Sequence, residues 1–497
     1  MAWTQLDQLS PSTQVKVKKR VSPRARRNQM YDAGIPSIPG RTARSKAIYL
    51  LQIAAEVEHA LMAQYLYAAY SLDEAFARGK VNETTRFVDR WKRDIRLIAR
   101  QEMAHLATVQ NLLIALGAEV YVNRENNFSE HPDTYPFPVK FEKVSLISLA
   151  RYVAAESPAP EGLDAKTGRD LLEIFRLAGG KVKQKVNRVG ALYAAIYWLF
   201  QRDDTHGGPW KMPLPLTRWM KAANLAGVHV KDNDFAHPRD YEEFAARPGE
   251  WEVYDDSLHI ADTDPRSQAL RAIKWIMLQG EGPATSNASN DSHFYRFYGI
   301  FNDLRENPAL LAAARSVPLN PVVRNRHRTE PVQPGADCIT HPESRLWAQL
   351  FNFRYQMLLL DVLLALSTSR FDNPRLRSSL TQWAGRHEME HLKQIGQLLP
   401  ALPRHFRSKR LRAGAPFEIV AFPLEYAKRW DQQRVLMKGS AELVKKLKTM
   451  VSPRDQRFAI LRTIANFDHG RKEIVDGLFH LTSKYHWKDG RNQRFGS

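Results

Sequence analysis

Residues 56–70, EVEHALMAQYLYAAY, form a stretch that is apolar on nearly every side. This pattern predicts a buried helix, within a longer helix expected at residues 45–78. Glu58 lies inside the buried stretch. A carboxylate in such surroundings costs several kcal/mol unless it is paired, hydrogen-bonded or bound to a metal ion. The sequence therefore predicts a partner for Glu58.

A Glu-x-x-His motif, Glu102-Met103-Ala104-His105, lies in a second long helical pattern at residues 83–116. Two helical residues three apart share a face, so this carboxylate and imidazole can reach the same metal ion. A lone Glu-x-x-His occurs by chance in many exposed helices. Beside a buried Glu58, it favours an iron or manganese site of the kind built inside helical bundles. Tyr65, two turns after Glu58, is predicted to hydrogen-bond a site carboxylate.

Three further side chains are candidates for this site. Glu156 ends a helical pattern, where the helix macrodipole disfavours negative charge unless a cation or an arginine lies near. Glu281 stands between two glycines after an apolar helix and is either a turn residue or an inward-facing ligand. His293 opens an aromatic-rich helix and is either packed in the core or a ligand. The other candidate ligands favour the interpretation of His293 as a ligand.

The whole chain constrains the class of protein. Its 497 residues suffice for two or three domains with a large core. Cys338 is the single cysteine, which excludes a disulfide framework within one chain and indicates a reducing, cytoplasmic setting. No apolar run approaches the length of a membrane span, and the N-terminus lacks an apolar signal region, so no membrane association is expected.

Part of the net charge of +20 is concentrated in basic runs at residues 15–27, 324–328 and 404–412. Such runs can neutralise nucleic-acid phosphates, but no nucleic-acid recognition motif accompanies them. We therefore expect a solvated surface that attracts an acidic small-molecule substrate or an acidic carrier protein.

Helical periodicity dominates and strand-like alternation is scarce, so the fold class is predicted to be all-α. Residues 1–44 lack periodicity and are expected to form a basic, extended or partly disordered arm. Residues 45–310 are predicted to form a metal-binding domain with an irregular insertion at 205–264, whose length suggests a lid or wall over the site. Residues 318–497 predict a C-terminal helical region.

The second half repeats part of the pattern of the first. An apolar helix predicted at 346–366 precedes a helix at 376–399 that carries a second Glu-x-x-His at residues 388–391. This arrangement is consistent with a decayed internal duplication. Arg354 and Tyr355 stand where a buried glutamate would be needed. A complete second metal site is therefore not expected, and the second motif is interpreted as a structural feature or as part of a second pocket.

Six segments carry a resemblance to a known family: residues 56–72, 101–117, 156–158, 187–197, 279–282 and 292–297. Together they resemble the ferritin-like family that includes iminophenyl-pyruvate dimer synthases, which belongs to bacterial specialised metabolism. The resemblance covers residues 45–310 and continues more weakly through Phe351-Asn352 and residues 398–403. It implies a ferritin-like helical bundle whose core holds non-haem metal.

The resemblance implies one set of metal ligands in this chain: Glu58, Glu102, His105, Glu156, Glu281 and His293. Asn290 occupies the position three residues before His293, so a second complete Glu-x-x-His is missing there. The site is therefore expected to hold one iron ion or two, with manganese as the alternative metal.

The leading functional hypothesis is an oxidoreductase that uses O₂ or peroxide on an aromatic or amino-acid-derived substrate. Tyr65 would act there as a hydrogen-bond donor or as a redox-active phenol. One alternative is an enzyme that couples two imines oxidatively, as iminophenyl-pyruvate dimer synthases of the family that this chain resembles do. Another is a non-catalytic iron-binding or scaffold protein.

Overall fold

The structure is a computed structural model that describes residues 38–73, 83–126, 139–157, 165–179, 189–204, 220, 224–251, 261–262, 266–281, 292–323, 337–406 and 408–484. These residues are mainly helical, and their strands are only two to five residues long, which confirms the all-α class. Within the described chain, no helix combines the length and apolar character needed to cross a membrane.

The helices are α1 (Ala43–Ser71), α2 (Glu83–Ala115), α3 (Leu146–Ala155), α4 (Ala165–Gly179), α5 (Val189–Phe200), α6 (Pro238–Phe244), α7 (Arg266–Ile276), α8 (His293–Glu306), α9 (Pro342–Ala365), α10 (Pro374–Gln382), α11 (Met389–Leu398), α12 (Tyr426–Met450) and α13 (Gln456–Lys484). Single π-helical turns follow α7 and α10, at Met277–Glu281 and Trp383–Glu388. Short 3₁₀ turns lie at Asp232–Asp234, Pro248–Glu250, Pro308–Ala313 and Leu399–Ala401.

Among the described residues, four short strands form two separate pairs. Strands β1 (Pro321–Val322) and β2 (Asp337–Cys338) pair in parallel. Strands β3 (Pro403–His405) and β4 (Ser408–Arg412) pair antiparallel with an irregular register. The chain as a whole divides into two compact units. The N-terminal unit lies within Leu9–Glu242 and Ser257–Ala314, and the C-terminal unit within Glu243–Asp256 and Arg315–Ser497.

Helices α1 and α2 form an antiparallel pair at the centre of the N-terminal unit. Arg44, at the start of α1, donates from Nε to the carbonyl oxygen of Leu116 at the end of α2, at 2.9 Å. Helix α2 ends at Ala115, one residue before the predicted end, and Gly117 caps it. This glycine adopts a left-handed φ of 62°, and the N–H of Ala118 bonds the carbonyl of Leu113 at 2.9 Å. Such a glycine cap satisfies carbonyls that the last helical turn leaves open.

Helix α1 ends at Ser71, seven residues before the predicted end. Leu72 turns into an extended conformation and forms a single antiparallel bridge with Ala314. The N–H of Asp73 then donates to the carbonyl of Ala313 at 2.9 Å. A contact with a distant part of the chain therefore ends this helix, and helical periodicity carries no sign of such a contact.

Other helices of the N-terminal unit pack around the pair formed by α1 and α2. Glu58 and Ala60, two residues apart, point to nearly opposite sides of α1, yet both are buried, as the apolar pattern predicts. Helices α2 and α5 pack against α1, while α3 and α8 pack against each other and α8 also contacts α2. Four helices, α1, α2, α3 and α8, thus supply the walls of one core.

The C-terminal unit is built on α9, which packs against α12 and against the π turn and α11. Its core contains a charged network. Arg354 donates to both carboxylate oxygens of Glu388 at 2.6 Å and to Asp468 at 2.5 Å. Arg471 donates to Glu388 at 2.9 Å and also to Asp361. Two guanidinium groups therefore bind three buried acids in the region of the second Glu-x-x-His.

Part of the predicted insertion belongs to the C-terminal unit. Arg377, which is buried, donates to the carboxylate of Glu250 at 3.0 Å and to the carbonyl of Ala245 at 2.8 Å. Other parts of the insertion, most of the arm and the basic runs at 15–27 and 324–328 lie outside the described residues. A lid formed by the insertion therefore stays a prediction.

The network makes the C-terminal unit sensitive to pH through Asp361. Burial raises the pKa of Asp361 to about 7; Arg471 opposes this shift and Glu388 adds to it. Because the folded protein then holds this proton more tightly than the unfolded chain does, the contribution to stability is complete below the ordinary pKa of 3.8. It is lost as the pH rises through about 7.

As the pH rises from about 5 to about 8, we expect the wild type to lose stability relative to Asp361→Asn, because the asparagine side chain is neutral at every pH. Melting temperatures of both proteins at the two pH values measure this. The matched control is Asp431→Asn on α12, whose side chain is 57% exposed. A difference between Asp361→Asn and wild type that stays constant with pH would contradict the prediction.

Candidate metal centre

Five of the six predicted ligands meet in the core of the N-terminal unit. They come from four helices: Glu58 from α1, Glu102 and His105 from α2, Glu156 from the end of α3, and His293 from the start of α8. The relative exposure of each of the five residues is 0%. The sixth, Glu281, ends the π turn after α7, and its side chain lies outside the described side chains. Its role as a ligand stays a prediction.

The five side chains form two groups that share Glu102. One contains Glu58, Glu102 and His105, and the other contains Glu102, Glu156 and His293. In each group, one ligand atom from every residue lies within 4.8 Å of the others. This spacing suits two metal ions bridged by a common carboxylate, as in the di-metal sites of helical bundles.

Local sequence explains how the ends of two helices reach this core. Ser145 caps the start of α3, and the backbone N–H of Glu156 still bonds the carbonyl of Tyr152 at 3.1 Å. Glu156 is therefore the last residue held by α3. Ser292 caps α8 by accepting from the N–H of Tyr295 at 3.4 Å, which makes His293 the first helical residue.

Tyrosines orient two of the carboxylates. Tyr193 on α5 donates to Oε1 of Glu58, and Tyr65 on α1 donates to Oε1 of Glu156. The second oxygen of each carboxylate is thereby left for another partner. Tyr65 therefore meets a site carboxylate, as its spacing suggests, and that carboxylate is Glu156.

Several buried atoms of the site lack a hydrogen bond within the described part of the chain. They are Oε2 of Glu58, Oε1 of Glu102, Oε2 of Glu156 and Nδ1 of His293. These atoms nevertheless lie close together. His293 Nδ1 is 3.2 Å from Glu102 Oε1 and 3.5 Å from Glu156 Oε2. Buried polar atoms are normally satisfied, so this arrangement indicates a missing common partner.

The two imidazoles have matching environments. His105 Nδ1 lies 2.9 Å from Glu102 Oε2, and its Nε2 lies 2.6 Å from Oε1 of Gln279. His293 places Nδ1 among the carboxylates, and its Nε2 lies 3.0 Å from Oε1 of Gln101. Each ring therefore turns one nitrogen toward the site and the other toward a glutamine.

The electrostatics show an excess of negative charge. Burial raises the pKa of Glu102 well above its usual value, and the charges of Glu156 and Glu58 raise it further. Burial lowers the pKa of His105, but Glu102 and Glu58 outweigh this and hold it well above its usual value. Three carboxylates thus compete for two imidazoles in a dry core. A bound cation would relieve that repulsion.

The donor set fits a metal centre. Carboxylate oxygens mixed with imidazole nitrogens suit iron or manganese. A metal ion needs lone pairs on deprotonated ligands, and the unsatisfied oxygens of Glu58, Glu102 and Glu156 and the Nδ1 of His293 offer them. These residues would hold iron or manganese.

Gly280 gives the site its close packing. A Cβ atom at this position would lie 2.8 Å from Cβ of His293 and 2.9 Å from Oε2 of Glu156. The helical path is kinked here, because Gly280 has non-helical backbone angles within the π turn that runs to Glu281. Such turns are frequent at functional sites because they redirect side chains.

The sequence patterns do not identify four features of the site: Tyr193, Gln101, Gln279 and the steric role of Gly280. Gln101 adjoins Glu102 in the chain, while Gln279 and Gly280 adjoin Glu281. Proximity in sequence to a candidate ligand is the one signal that could have found them. Tyr193 lies in an apolar helix with no neighbouring acid, so its sequence offers no such signal.

Carboxylates and imidazoles that converge from four bundle helices define this as a protein of the ferritin-like class. The ferritin-like family model matches residues 51–213 and 220–302. The chain belongs to the ferritin-like family.

Two relatives share much of the chain. One is the dichlorochromopyrrolate synthase of Lentzea aerocolonigenes, 27% identical over 77% of this chain and 36% of its own length. The other is the 2-imino-3-(indol-3-yl)propanoate dimerase of Chromobacterium violaceum, 28% identical over 65% of this chain and 29% of its own length. This chain thus spans about a third of the length of these relatives. No solved structure matches it.

We expect Gly280→Ala to displace His293 or Glu156, because the added methyl group would lie under 3 Å from both. The variant should lose metal from the group that contains these two residues, measured by metal analysis after anaerobic loading with Fe²⁺. Gly299→Ala on α8 is the control, since an added Cβ there meets nothing within 4 Å. Equal metal content in both variants would refute this steric role.

Proposed function

We propose that this chain is an oxidative coupling enzyme that joins two amino-acid-derived imines and uses iron held by Glu58, Glu102, His105, Glu156 and His293. The cluster of buried, unsatisfied ligand atoms supports the metal part of this proposal. The two relatives support the coupling part, since one is a dimerase of an imino acid and the other a synthase.

The proposed reaction removes two hydrogen atoms in total. One carbon–carbon bond forms between two imine molecules, and one bond to hydrogen breaks on each. Two electrons and two protons therefore leave the substrates, and O₂ or peroxide must accept them. Bound iron would supply the redox chemistry that links the substrates to this oxidant.

The protein's own residues keep the carboxylates in place. Burial raises the pKa of Tyr65 well above its usual value, and Glu156 raises it further, so this phenol stays protonated. Its ring is held between Tyr152 at 5.0 Å and Phe297 at 4.7 Å, measured between ring centroids. Tyr65 is thus a fixed hydrogen-bond donor to Glu156. This supports a positioning role more directly than a role as redox-active phenol.

The metal part of the proposal predicts two iron ions per chain, because two ligand groups share Glu102. Glu102→Gln should lose both ions, since an amide is a poorer iron ligand than a carboxylate. Metal analysis of protein purified and loaded anaerobically tests this.

The second Glu-x-x-His provides the matched control. His391 accepts from Arg354 at 3.2 Å within the charged network, so His391→Ala should keep the wild-type iron content. Wild-type protein that binds no metal would overturn the proposed centre.

The coupling part predicts a product mass. Iron-loaded protein given fresh 2-imino-3-(indol-3-yl)propanoate with O₂ or peroxide should form a product with the mass of two substrates less two hydrogen atoms, and Glu102→Gln should not. An oxidised product derived from a single substrate molecule would instead indicate monomer oxidation. Bound iron without any substrate turnover would favour the non-catalytic alternative.

A further inference from the structure

Gln101 and Gln279 occupy equivalent places beside the two imidazoles. Gln101 lies on α2 but contacts His293 of α8, at 3.0 Å between Oε1 and Nε2. Gln279 lies in the π turn after α7 but contacts His105 of α2, at 2.6 Å between the same atom types. Each histidine is therefore held from an element other than its own.

The amide oxygens determine which ring nitrogen keeps a proton. An amide oxygen only accepts hydrogen bonds, so the Nε2 atom facing it must carry hydrogen. This holds whether the ring is charged or neutral. When a metal ion binds, the proton that leaves is then the one on Nδ1, and the Nδ1 lone pair points to the carboxylates.

The neutrality of the glutamines suits the charge of the site. A histidine ligand commonly donates its second N–H to a carboxylate or a carbonyl, which fixes its orientation. Glu58, Glu102 and Glu156 already place three buried carboxylates together. Two more acids would add to their repulsion, whereas an amide supplies the acceptor without charge.

We propose that Gln101 and Gln279 are positioning residues that hold His293 and His105 with Nδ1 free to bind metal. The inference rests on the proposed metal centre. Gln279 contacts the group of Glu58, Glu102 and His105. Gln101 contacts the group of Glu102, Glu156 and His293. Each glutamine therefore affects the binding of a different ion.

Titration of the apo-protein with Co²⁺, followed by the visible spectrum, tests the proposal without any substrate. Gln279→Met and Gln101→Met remove the acceptor at similar side-chain length. Each should weaken one of the two binding steps by about 10- to 100-fold. Gln279→Glu keeps the acceptor and should bind Co²⁺ at least as tightly as the wild type.

Gln110→Met is the matched control. Gln110 is buried on α2, and its amide bonds the backbone of Tyr121 at 2.7 and 2.8 Å, away from the ligands. This variant should melt at a lower temperature yet keep wild-type Co²⁺ affinity. If Gln279→Met does not fold, the comparison of Gln279→Glu with the wild type becomes the test.

The outcomes separate the two proposals. If the wild type binds no Co²⁺, the metal centre itself is refuted. If the wild type binds Co²⁺ and both methionine variants bind it equally well, the centre stands and the positioning role is refuted. If Gln279→Glu loses affinity, Nε2 is not the donor to residue 279, and the proposed orientation of His105 is wrong.

Discussion

The repulsion among three buried carboxylates is the constraint on which the N-terminal unit depends. Glu58, Glu102 and Glu156 lie in one core, and the two imidazoles beside them do not balance their charge. Bringing them together requires α1 to be buried on all sides, α3 to end at Glu156 and α8 to start at His293. A fold with these features is stable only if a cation, or protons, compensate the acids.

The sequence predicts the parts of this site that depend on local spacing. An apolar pattern around Glu58 and the three-residue spacing of Glu102 and His105 are properties of single helices. Glu156 and His293 could be named as candidates but not paired, because packing of α3 against α8 decides their distance. The glutamines at 101 and 279 act across helices, so periodicity gives no sign of them. The early end of α1, which depends on a distant bridge, is unpredictable for the same reason.

The C-terminal unit shows that Glu-x-x-His spacing alone does not define a metal site. Glu388 is as deeply buried as Glu102, and His391 follows it at the same interval. Here Arg354 donates to both oxygens of Glu388, and Arg471 donates to one of them. The guanidinium groups occupy the lone pairs that a metal ion would need. The identity of residue 354, visible in the sequence, therefore distinguishes the two motifs.

The two units compensate buried carboxylates in ways that differ in chemical consequence. Arginine is permanently charged and saturates an acid with directed N–H groups, so the network around Glu388 has no role for a further ligand. The tyrosines at 65 and 193 instead occupy one oxygen each and leave the other open. An acid held in this way retains ligand capacity, and a metal ion bound to it can keep positions for further ligands. Partial satisfaction thus distinguishes Glu58 and Glu156, which each keep one oxygen without a hydrogen bond, from Glu388, whose two oxygens are both occupied.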